Sequence, residues 1–274
     1  MKLSRRTFLQ LGGAAAAGAA ASYIYGFELE PLWLQIENVT VTLPGLPPAL
    51  DGFKIVHLSD LHLSSLIPLS LIERAVQKTN ALRPDLVTLT GDFVLETAEH
   101  IFELAPVLAK LNAKYGVFSV LGNHDYWTNA AVVTHGLHTH GVPVFTNMGR
   151  SLSNGLYLAG VDDAMDGQPD IEAALADVPT NAPVVLLSHE PDVADEYMRN
   201  GRVALQLSGH SHGGQVRLPG RGPLVLPPLG RKYHTGLYKV GDGWLYTTRG
   251  IGMVKPAVRL NCPPEITQIT LTRG

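Results

Sequence analysis

The sequence IVHLSDLH at residues 55–62 places a run of apolar residues, typical of a β-strand, directly before an aspartate and a histidine. Four further segments repeat this arrangement: LVTLTGD at 86–92, VFSVLGNH at 117–124, VVLLSH at 184–189 and ALQLSGHSH at 204–212. A strand buried on both faces reads as a continuous apolar run, and ligands of open α/β sheets gather beyond the carboxyl ends of the strands. The five segments therefore predict strands that deliver polar side chains to one site.

The polar side chains of these segments are oxygen or imidazole donors, and none is a thiol. Two pairs are separated by a single residue, and side chains at i and i+2 of extended backbone project to the same side, so each pair is expected to chelate. Two carboxylates about 4 Å apart repel by about 4 kcal/mol at an effective dielectric of 20, and a divalent cation reverses that sign. These donors outnumber the ligands that a single metal ion needs. They are Asp60, His62, Asp92, Asn123, His124, His189, His210 and His212.

Each motif taken alone also has an ordinary structural interpretation. An aspartate after a strand often caps a helix or forms a turn, and GNHD at 122–125 has the composition of a turn. A lone His189 is more often a hydrogen-bonded core histidine than a metal ligand. The joint occurrence of five motifs, each at the same place in its strand, favours the metal site.

The series DLH, GD, GNHD, SH and GHSHGG resembles the calcineurin-like metallophosphoesterase superfamily. By motif the resemblance covers residues 57–215, and the segment RGIGMVKPAVRLNCPPEI at 249–266 is similar to the bacterial exported branch, which comprises membrane-associated phosphodiesterases with a twin-arginine leader. The resemblance implies the metallophosphatase fold, an α/β four-layer αββα sandwich of two mixed β-sheets flanked by helices.

The resemblance also implies which residues hold metal. Imidazole and carboxylate ligands with an amide oxygen and no thiolate suit two divalent ions of manganese, iron or zinc better than calcium or copper(I). The implied assignment places Asp60, His62 and His212 on the first ion and Asn123, His189 and His210 on the second, with Asp92 bridging both.

His124 is left without a metal in this assignment. Because an imidazole titrates near neutrality, His124 is the candidate catalytic residue, which donates a proton to the leaving oxygen or steadies charge on the phosphoryl group. The neighbouring Asp125 either orients His124 or supports a metal ligand. Some family members carry a further aspartate three residues after the bridging one, and this chain has Leu95 there, so no partner is assigned to His124.

The predicted reaction is hydrolysis of a phosphodiester or pyrophosphate bond. Two metals about 3.5–4 Å apart clamp the attacking and leaving oxygens and lower the pKa of water to about 7, so we expect a metal-bridging hydroxide to attack phosphorus directly. The resemblance extends to cell-envelope substrates, either lipid-linked phosphates or sugar nucleotides, including a UDP-2,3-diacylglucosamine hydrolase-like activity. The alternatives are a phosphomonoesterase and a noncatalytic metal- or phosphate-binding module, in which His124 has no purpose.

Residues 1–27 have the composition of an export signal. They contain Lys2, Arg5 and Arg6 without an acidic residue, then an Ala- and Gly-rich stretch, and SRRTFLQ at 4–10 is typical of a twin-arginine signal. We therefore predict export by the twin-arginine translocation machinery to the periplasm or the outer face of the cytoplasmic membrane. The alternative is an uncleaved N-terminal membrane anchor, because this segment is barely long enough to cross a bilayer. The remaining residues 28–274 are predicted to form one metallophosphoesterase domain.

The chain that remains after removal of the leader is acidic. The whole chain has 21 basic and 24 acidic residues, and removing the three basic residues of the leader leaves 18 against 24, or about −6 with histidine neutral. Proteins that bind bulk nucleic acid usually present a basic face. We therefore expect a small phosphodiester or a lipid-linked phosphate as substrate, and no nucleic-acid partner. Cys262 is the single cysteine, which excludes an intramolecular disulfide.

Periodicity and turn residues outline the remaining elements. The β-α alternation of the first two thirds, followed by a β-rich segment, predicts two packed sheets with helices outside. Helices are expected at 69–82, 99–111, 130–140 and 171–176. Further strands are expected at 34–43, 215–218, 236–240, 244–248 and 266–271.

Overall fold

The computed structural model describes residues 4–199 and 201–274. The described chain begins with helix α1 (Arg5–Ile24), where the side chain of the N-cap residue Ser4 accepts a hydrogen bond from the backbone N–H of Thr7. No residue of α1 is buried. Within the described part of the chain, no helix combines the length and the apolar character needed to cross a bilayer.

Contacts with the body of the protein begin just after α1, in a π-helical turn (Tyr25–Leu29) and a 3₁₀ turn (Glu30–Leu32). The backbone carbonyl of Gly26 accepts a hydrogen bond from the backbone N–H of Arg259 at 2.9 Å. The buried Glu30 carboxylate accepts hydrogen bonds from the next part of the same C-terminal segment. The end of the N-terminal helical region is therefore fixed against residues 259–262.

Thirteen strands and six further helices follow in the described residues. The strands are β1 (Gln35–Leu43), β2 (Lys54–Leu58), β3 (Leu86–Thr90), β4 (Val117–Val120), β5 (Met148–Ser151), β6 (Tyr157–Gly160), β7 (Val184–Leu187), β8 (Val203–Ser208), β9 (Arg217–Leu218), β10 (Gly222–Pro223), β11 (Gly236–Val240), β12 (Gly243–Thr247) and β13 (Glu265–Arg273). The helices are α2 (Leu69–Ala81), α3 (Ile101–Leu108), α4 (Asn123–Thr128), α5 (Ala130–Thr139), α6 (Ile171–Ala174) and α7 (Ala194–Tyr197).

Two mixed sheets form the centre of the fold. The five-stranded sheet has the order β1-β13-β2-β3-β4, in which β2, β3 and β4 are parallel and β13 runs antiparallel to β2. The six-stranded sheet has the order β11-β12-β8-β7-β6-β5, in which β12, β8, β7 and β6 are parallel and the two outer strands are antiparallel to their neighbours. A short hairpin of β9 and β10 lies outside both sheets.

The burial pattern shows four layers. One core cluster lies between the sheets and includes Ile55 and Phe118 of one sheet with Leu187 and Leu205 of the other. A second cluster packs the opposite face of the five-stranded sheet against α2, α3 and α5, and a third packs the outer face of the six-stranded sheet against α6 and α7. The predicted four-layer αββα sandwich is therefore confirmed.

The individual elements agree with the sequence where apolar periodicity is strong. The helix predicted at 69–82 ends one residue early, and the strand predicted at 236–240 matches β11. The strand predicted at 215–218 begins later, because the backbone of Gln215 is left-handed with φ of 52°, Val216 makes a single bridge to Leu260, and the strand β9 starts at Arg217.

Candidate metal centre

All five predicted segments end at the same edge of the molecule. Three of the strands, β2, β3 and β4, are parallel neighbours in one sheet, and the other two, β7 and β8, are parallel neighbours in the second sheet. The residues that follow the strands of one sheet face the residues that follow the strands of the other, across the interface between the two sheets. This arrangement brings together the side chains predicted from the sequence, and each of the seven predicted ligands is buried.

The first group of donors comprises Asp60, His62, Asp92 and His212. One ligand atom of each lies within 4.8 Å of all the others. The Nε2 atoms of His62 and His212 are 3.0 Å apart, and His212 Nε2 lies 3.4 Å from Asp60 Oδ1. Such a cluster of two carboxylates and two imidazoles is a ligand set suited to a divalent transition metal.

Asp92 connects this group to a second one. Its Oδ2 atom lies 3.4 Å from His62 Nε2 and 3.2 Å from His189 Nε2. Beyond His189, the Nδ1 atom of His210 lies 3.0 Å from Asn123 Oδ1. The geometry therefore provides two adjacent donor sets that share one carboxylate oxygen, which is the placement expected of a bridging ligand.

Hydrogen bonds to backbone carbonyls orient two of the imidazoles. His189 Nδ1 lies 2.6 Å from the carbonyl oxygen of Thr90, and His210 Nε2 lies 2.7 Å from that of Pro228. A carbonyl only accepts, so these nitrogens carry a proton, and the opposite nitrogens present lone pairs to the donor sets when the rings are neutral. His189 Nε2 is buried and lies 3.2 Å from Asp92 Oδ2 without the geometry of a hydrogen bond. Lone pairs that converge in this way fit a cation.

The chelating pairs are made by left-handed backbone rather than by extended strands. Asp60 and His62 have φ of 53° and 49°, and His210 and His212 have φ of 66° and 51°. The expectation that i and i+2 of extended backbone would align these pairs is therefore wrong, although the side chains do converge. Non-glycine residues rarely adopt positive φ, and clusters of them are typical of functional sites.

Two motif glycines are required by close approach of the backbone to the donors. A Cβ atom on Gly122 would lie 2.5 Å from Asp92 Oδ1, and one on Gly209 would collide with Ser59 Oγ and Asp60 Oδ2. The absence of a side chain lets the β4 and β8 loops pack directly against the carboxylates. The backbone N–H of His210 uses this proximity to donate to Asp60 at 3.0 Å.

Burial and mutual charge set the protonation of the donors. Burial raises the pKa of Asp60 to about 7, and the Asp92 carboxylate adds to this shift. Burial lowers the pKa of His62 to about 3 and that of His210 to about 4, so both rings are neutral, as a metal ligand must be. Burial also disfavours charge on His189, but the Asp92 carboxylate outweighs it and raises the pKa of His189.

The carboxylate of Asp125 supports the loop that carries the bridging residue Asp92, and it is not hydrogen-bonded to the His124 ring. Its Oδ2 atom accepts hydrogen bonds from the backbone N–H groups of Asp92 and Gly122 at 2.9 and 3.0 Å. Its Oδ1 atom accepts from Phe93 and Val94 at 2.8 and 3.3 Å. Of the two roles predicted for Asp125, the structure therefore favours support of the loop that carries Asp92.

His124 lies at the edge of the donor sets. Its backbone N–H donates to Asp92 Oδ1 at 2.9 Å. Its ring is partly exposed and packs edge-on against His62, with centroids 4.7 Å apart, and against Trp127 at 4.4 Å. The indole N–H of Trp127 donates to Asp166 at 2.7 Å. Aromatic contacts, rather than a carboxylate, therefore position the His124 ring.

Arg259 is a supporting residue that the motifs did not predict. It is fully buried and donates to the backbone carbonyls of Arg249, Gly250, Gly252 and Cys262. The loop it holds packs on the first donor group, because the N–H of Gly252 donates to the Asp60 carbonyl. The sequence signal was the RGIG segment, whose glycines permit such an approach.

Comparison with known proteins agrees with this geometry. The family model for calcineurin-like phosphoesterases matches residues 53–214. That match covers more than half of the 274 residues, and it includes all five motifs. The chain therefore belongs to the calcineurin-like phosphoesterase family, and its enzymatic class is that of the metal-dependent phosphoester hydrolases.

Several bacterial proteins are similar over almost the whole chain. The metallophosphoesterase YkuE of Bacillus subtilis is 39% identical over 98% of both chains, and the phosphodiesterase YaeI of Escherichia coli is 34% identical over 98% of this chain and 99% of its own. The UDP-2,3-diacylglucosamine pyrophosphatase LpxG of Chlamydia muridarum is 28% identical over 92% and 94%. Among solved structures, TT1561 of Thermus thermophilus shares the fold with a TM-score of 0.52 and 11% identity, over 73% of this chain and 90% of its own.

The substitution Asp125→Asn tests the support of the bridging loop. An amide has one acceptor oxygen and turns its NH₂ group toward two backbone donors, and each orphaned buried donor costs roughly 1–3 kcal/mol. Burial raises the pKa of Asp125 to about 8, so the contribution of this carboxyl to the unfolding free energy falls as the pH rises through 8, and we expect the loss in the variant to be larger at about pH 5 than at about pH 9. Urea denaturation of the metal-free protein measures this loss of unfolding free energy. The exposed substitution Asp242→Asn is the control, and equal stability of the two variants would contradict the assignment.

Metal binding should release protons. Asp60, with its pKa raised to about 7, and His189, with its pKa raised by Asp92, must both be deprotonated to ligate a cation. The affinity of the metal-free protein for Mn²⁺ is therefore expected to rise between about pH 6 and pH 8. Calorimetric titration in two buffers of different ionisation enthalpy measures the released protons. An affinity independent of pH would show that these groups do not bind the ion.

Proposed function

We propose that this protein hydrolyses a phosphodiester or pyrophosphate bond with two divalent ions held in its adjacent donor sets. The observation that carries the proposal is the position of Asp92 Oδ2 between His62 Nε2 and His189 Nε2, at 3.4 and 3.2 Å. One carboxylate oxygen in contact with both sets is the feature that distinguishes a binuclear site from two separate ones. The donor chemistry suits manganese, iron or zinc.

The residues of the chain divide into those that would hold the ions and one that would act on the substrate. Asp60, His62 and His212 would hold the first ion, Asn123, His189 and His210 the second, and Asp92 both. Bound divalent ions in such a pair supply Lewis acidity toward phosphoryl oxygens and make water a nucleophile near neutral pH. Water would then be the attacking group, and no nucleophilic side chain of the protein would be required.

His124 would protonate the leaving oxygen. Its ring packs against His62 of the first donor set, lies partly open to solvent and has no hydrogen-bonded side-chain partner among the described residues. Burial lowers the pKa of His124, and the Asp92 carboxylate opposes that effect. An imidazole that titrates below its usual range is a stronger acid for transfer of a proton to an alkoxide. A noncatalytic binding module gives this residue no task.

The names of the relatives support an envelope substrate. YaeI is called a phosphodiesterase, and LpxG is called a pyrophosphatase of a diacylated sugar nucleotide. The leader with Arg5 and Arg6 supports export by the twin-arginine machinery, which would place the enzyme in the periplasm or at the outer face of the cytoplasmic membrane. The acidic body argues against nucleic acid as substrate. A lipid-linked phosphate or a sugar-nucleotide pyrophosphate meets these constraints.

The reaction class is tested with a diester and a monoester that share one chromophore. Metal-free protein is titrated with Mn²⁺, Zn²⁺ and Fe²⁺ and assayed with bis-p-nitrophenyl phosphate and p-nitrophenyl phosphate. We expect metal-dependent turnover and a kcat/KM at least about tenfold higher for the diester, because a diester places one negative charge rather than two beside the site carboxylates. Preference for the monoester would identify a phosphomonoesterase, and absence of turnover with every ion would support a binding module.

The role of His124 is tested by the leaving group. His124→Ala should lower turnover roughly 10²–10⁴-fold for diesters with alkoxide leaving groups, which need a proton, and much less for p-nitrophenolate, which does not. Metal content, measured by mass spectrometry of the purified variant, should equal that of the wild type. Trp127→Phe keeps an aromatic neighbour for the ring and serves as the control. An equal loss for both leaving groups would mean that His124 stabilises charge on the phosphoryl group instead.

A further inference from the structure

The two donor sets form one end of a cavity of about 430 Å³. Asp92, Asn123 and His124 line this end of the cavity, together with His210 and His212. The volume lies within the range of small-molecule sites, about 300–1,000 Å³. Because the same cavity contains the donors and extends beyond them, a substrate whose phosphoryl group reaches the donors has its remaining part in the cavity.

The walls away from the donors are apolar. Aliphatic side chains and proline rings from the β9–β10 region face those of a segment near the C-terminus, and they comprise Val216, Leu224, Val225, Pro227, Val254 and Val258. Two of them are unusually exposed for aliphatic residues, with 52% of Leu224 and 77% of Val225 accessible. Trp127, which packs on His124, lines the same cavity and is 58% accessible. Exposed apolar residues that gather at a cavity mouth are typical of a binding site.

The charge of the cavity does not suit a polyanionic ligand. Among the described lining residues, Lys255 alone carries a permanent positive charge. Its Nζ lies 3.8 Å from Glu96 Oε1, and its side chain is largely exposed. Sites for nucleoside diphosphates usually supply arginine forks or a row of N–H donors for the second phosphate. The described walls offer apolar surface instead.

The apolar walls are fixed to the metal motifs. Gln215 directly follows the GHSHGG segment, and its amide accepts a hydrogen bond from the N–H of Val254 at 2.7 Å and donates to the Val254 carbonyl at 3.2 Å. On the opposite wall, the Pro228 carbonyl accepts from His210 Nε2, and the N–H of Leu224 donates to the Val216 carbonyl at 3.0 Å. The cavity is therefore preformed in a fixed position relative to the donors.

We infer that this cavity binds an aliphatic chain that is covalently linked to the scissile phosphoryl group. The substrate is then an alkyl- or acyl-bearing phosphoester, not a water-soluble diester or a nucleotide recognised through its phosphates. The inference rests on the proposed function, since it names the substrate class of the same site. Burial of the chain against Val225, Leu224 and the facing valines supplies the affinity, and the donor sets act on the phosphoryl group.

A series of p-nitrophenyl alkyl phosphodiesters tests the inference, because all members share one leaving group. Methyl, hexyl and decyl esters are assayed below their aggregation concentrations with the metal-loaded full chain. Each buried methylene contributes up to about fourfold, so kcat/KM should rise at least about 100-fold from methyl to decyl. Turnover of the methyl ester with no rise along the series would overturn the inference and leave the proposed function intact. Absence of turnover with every ester would overturn both.

The double substitution Leu224→Ser and Val225→Ser tests whether the apolar wall of the cavity causes the rise of kcat/KM with alkyl chain length. Both side chains are largely exposed, so the fold is expected to tolerate the change, and a thermal unfolding scan verifies this. The decyl-to-methyl ratio of kcat/KM should fall at least about tenfold. Phe102→Ser, which removes a 48% accessible apolar side chain outside the cavity, should keep the ratio. An unchanged ratio in the double variant would overturn the inference.

The physical form in which the substrate is supplied distinguishes a membrane lipid from a soluble amphiphile as the source of the aliphatic chain. The decyl ester is assayed as monomers and again after incorporation into phosphatidylcholine vesicles. Retained or increased turnover on vesicles assigns the cavity to a membrane lipid, whose chain the exposed rim can receive from the bilayer surface. Loss of turnover when the ester is sequestered in vesicles assigns it to a soluble amphiphile.

Discussion

The carboxylate of Asp92 is the group on which the arrangement of the site depends. It is buried, its Oδ2 atom contacts one histidine of each donor set, and its Oδ1 atom accepts the N–H of His124. A second buried carboxylate, Asp60, belongs to the same cluster. Two such charges repel strongly in a medium of low dielectric unless a cation lies among them. The cost of gathering these groups is consistent with a site built for divalent ions.

The ends of the strands hold these buried carboxylates together despite their mutual repulsion. Parallel strands of both sheets end at one edge, and the loops that follow turn sharply through left-handed residues such as Asp60 and His212. Around them the protein supplies fixed hydrogen bonds, with Asp125 accepting from the Asp92 loop and Arg259 holding the loop that covers Asp60. The donors are therefore held in position by the backbone before any ion binds, which is the preorganisation that metal catalysis requires.

Much of this could be predicted from the sequence, because continuous apolar runs identify buried strands and the motifs sit at their ends. The convergence of the donors and two packed sheets with helices outside followed from that pattern, and the four-layer sandwich followed from the resemblance to the metallophosphoesterases. The left-handed backbone of Asp60 and His62 could not be predicted, since positive φ is uncommon even for aspartate and histidine, in which it is enriched. Arg259 was missed because a buried arginine that binds only carbonyls has no motif of its own, and the RGIG segment marks only the loop that Arg259 holds. The apolar cavity depends on side chains such as Val225 and Val258 that are distant in sequence and meet only in the fold.

The central claim is that two divalent ions share Asp92. Anomalous diffraction from crystals grown with Mn²⁺, combined with elemental analysis of the active protein, shows most directly how many ions are bound and whether they share Asp92. We expect two ions in each chain, one on each side of the Asp92 carboxylate, with His124 bound to neither. A single ion in fully active protein, or two ions that do not share Asp92, would contradict it.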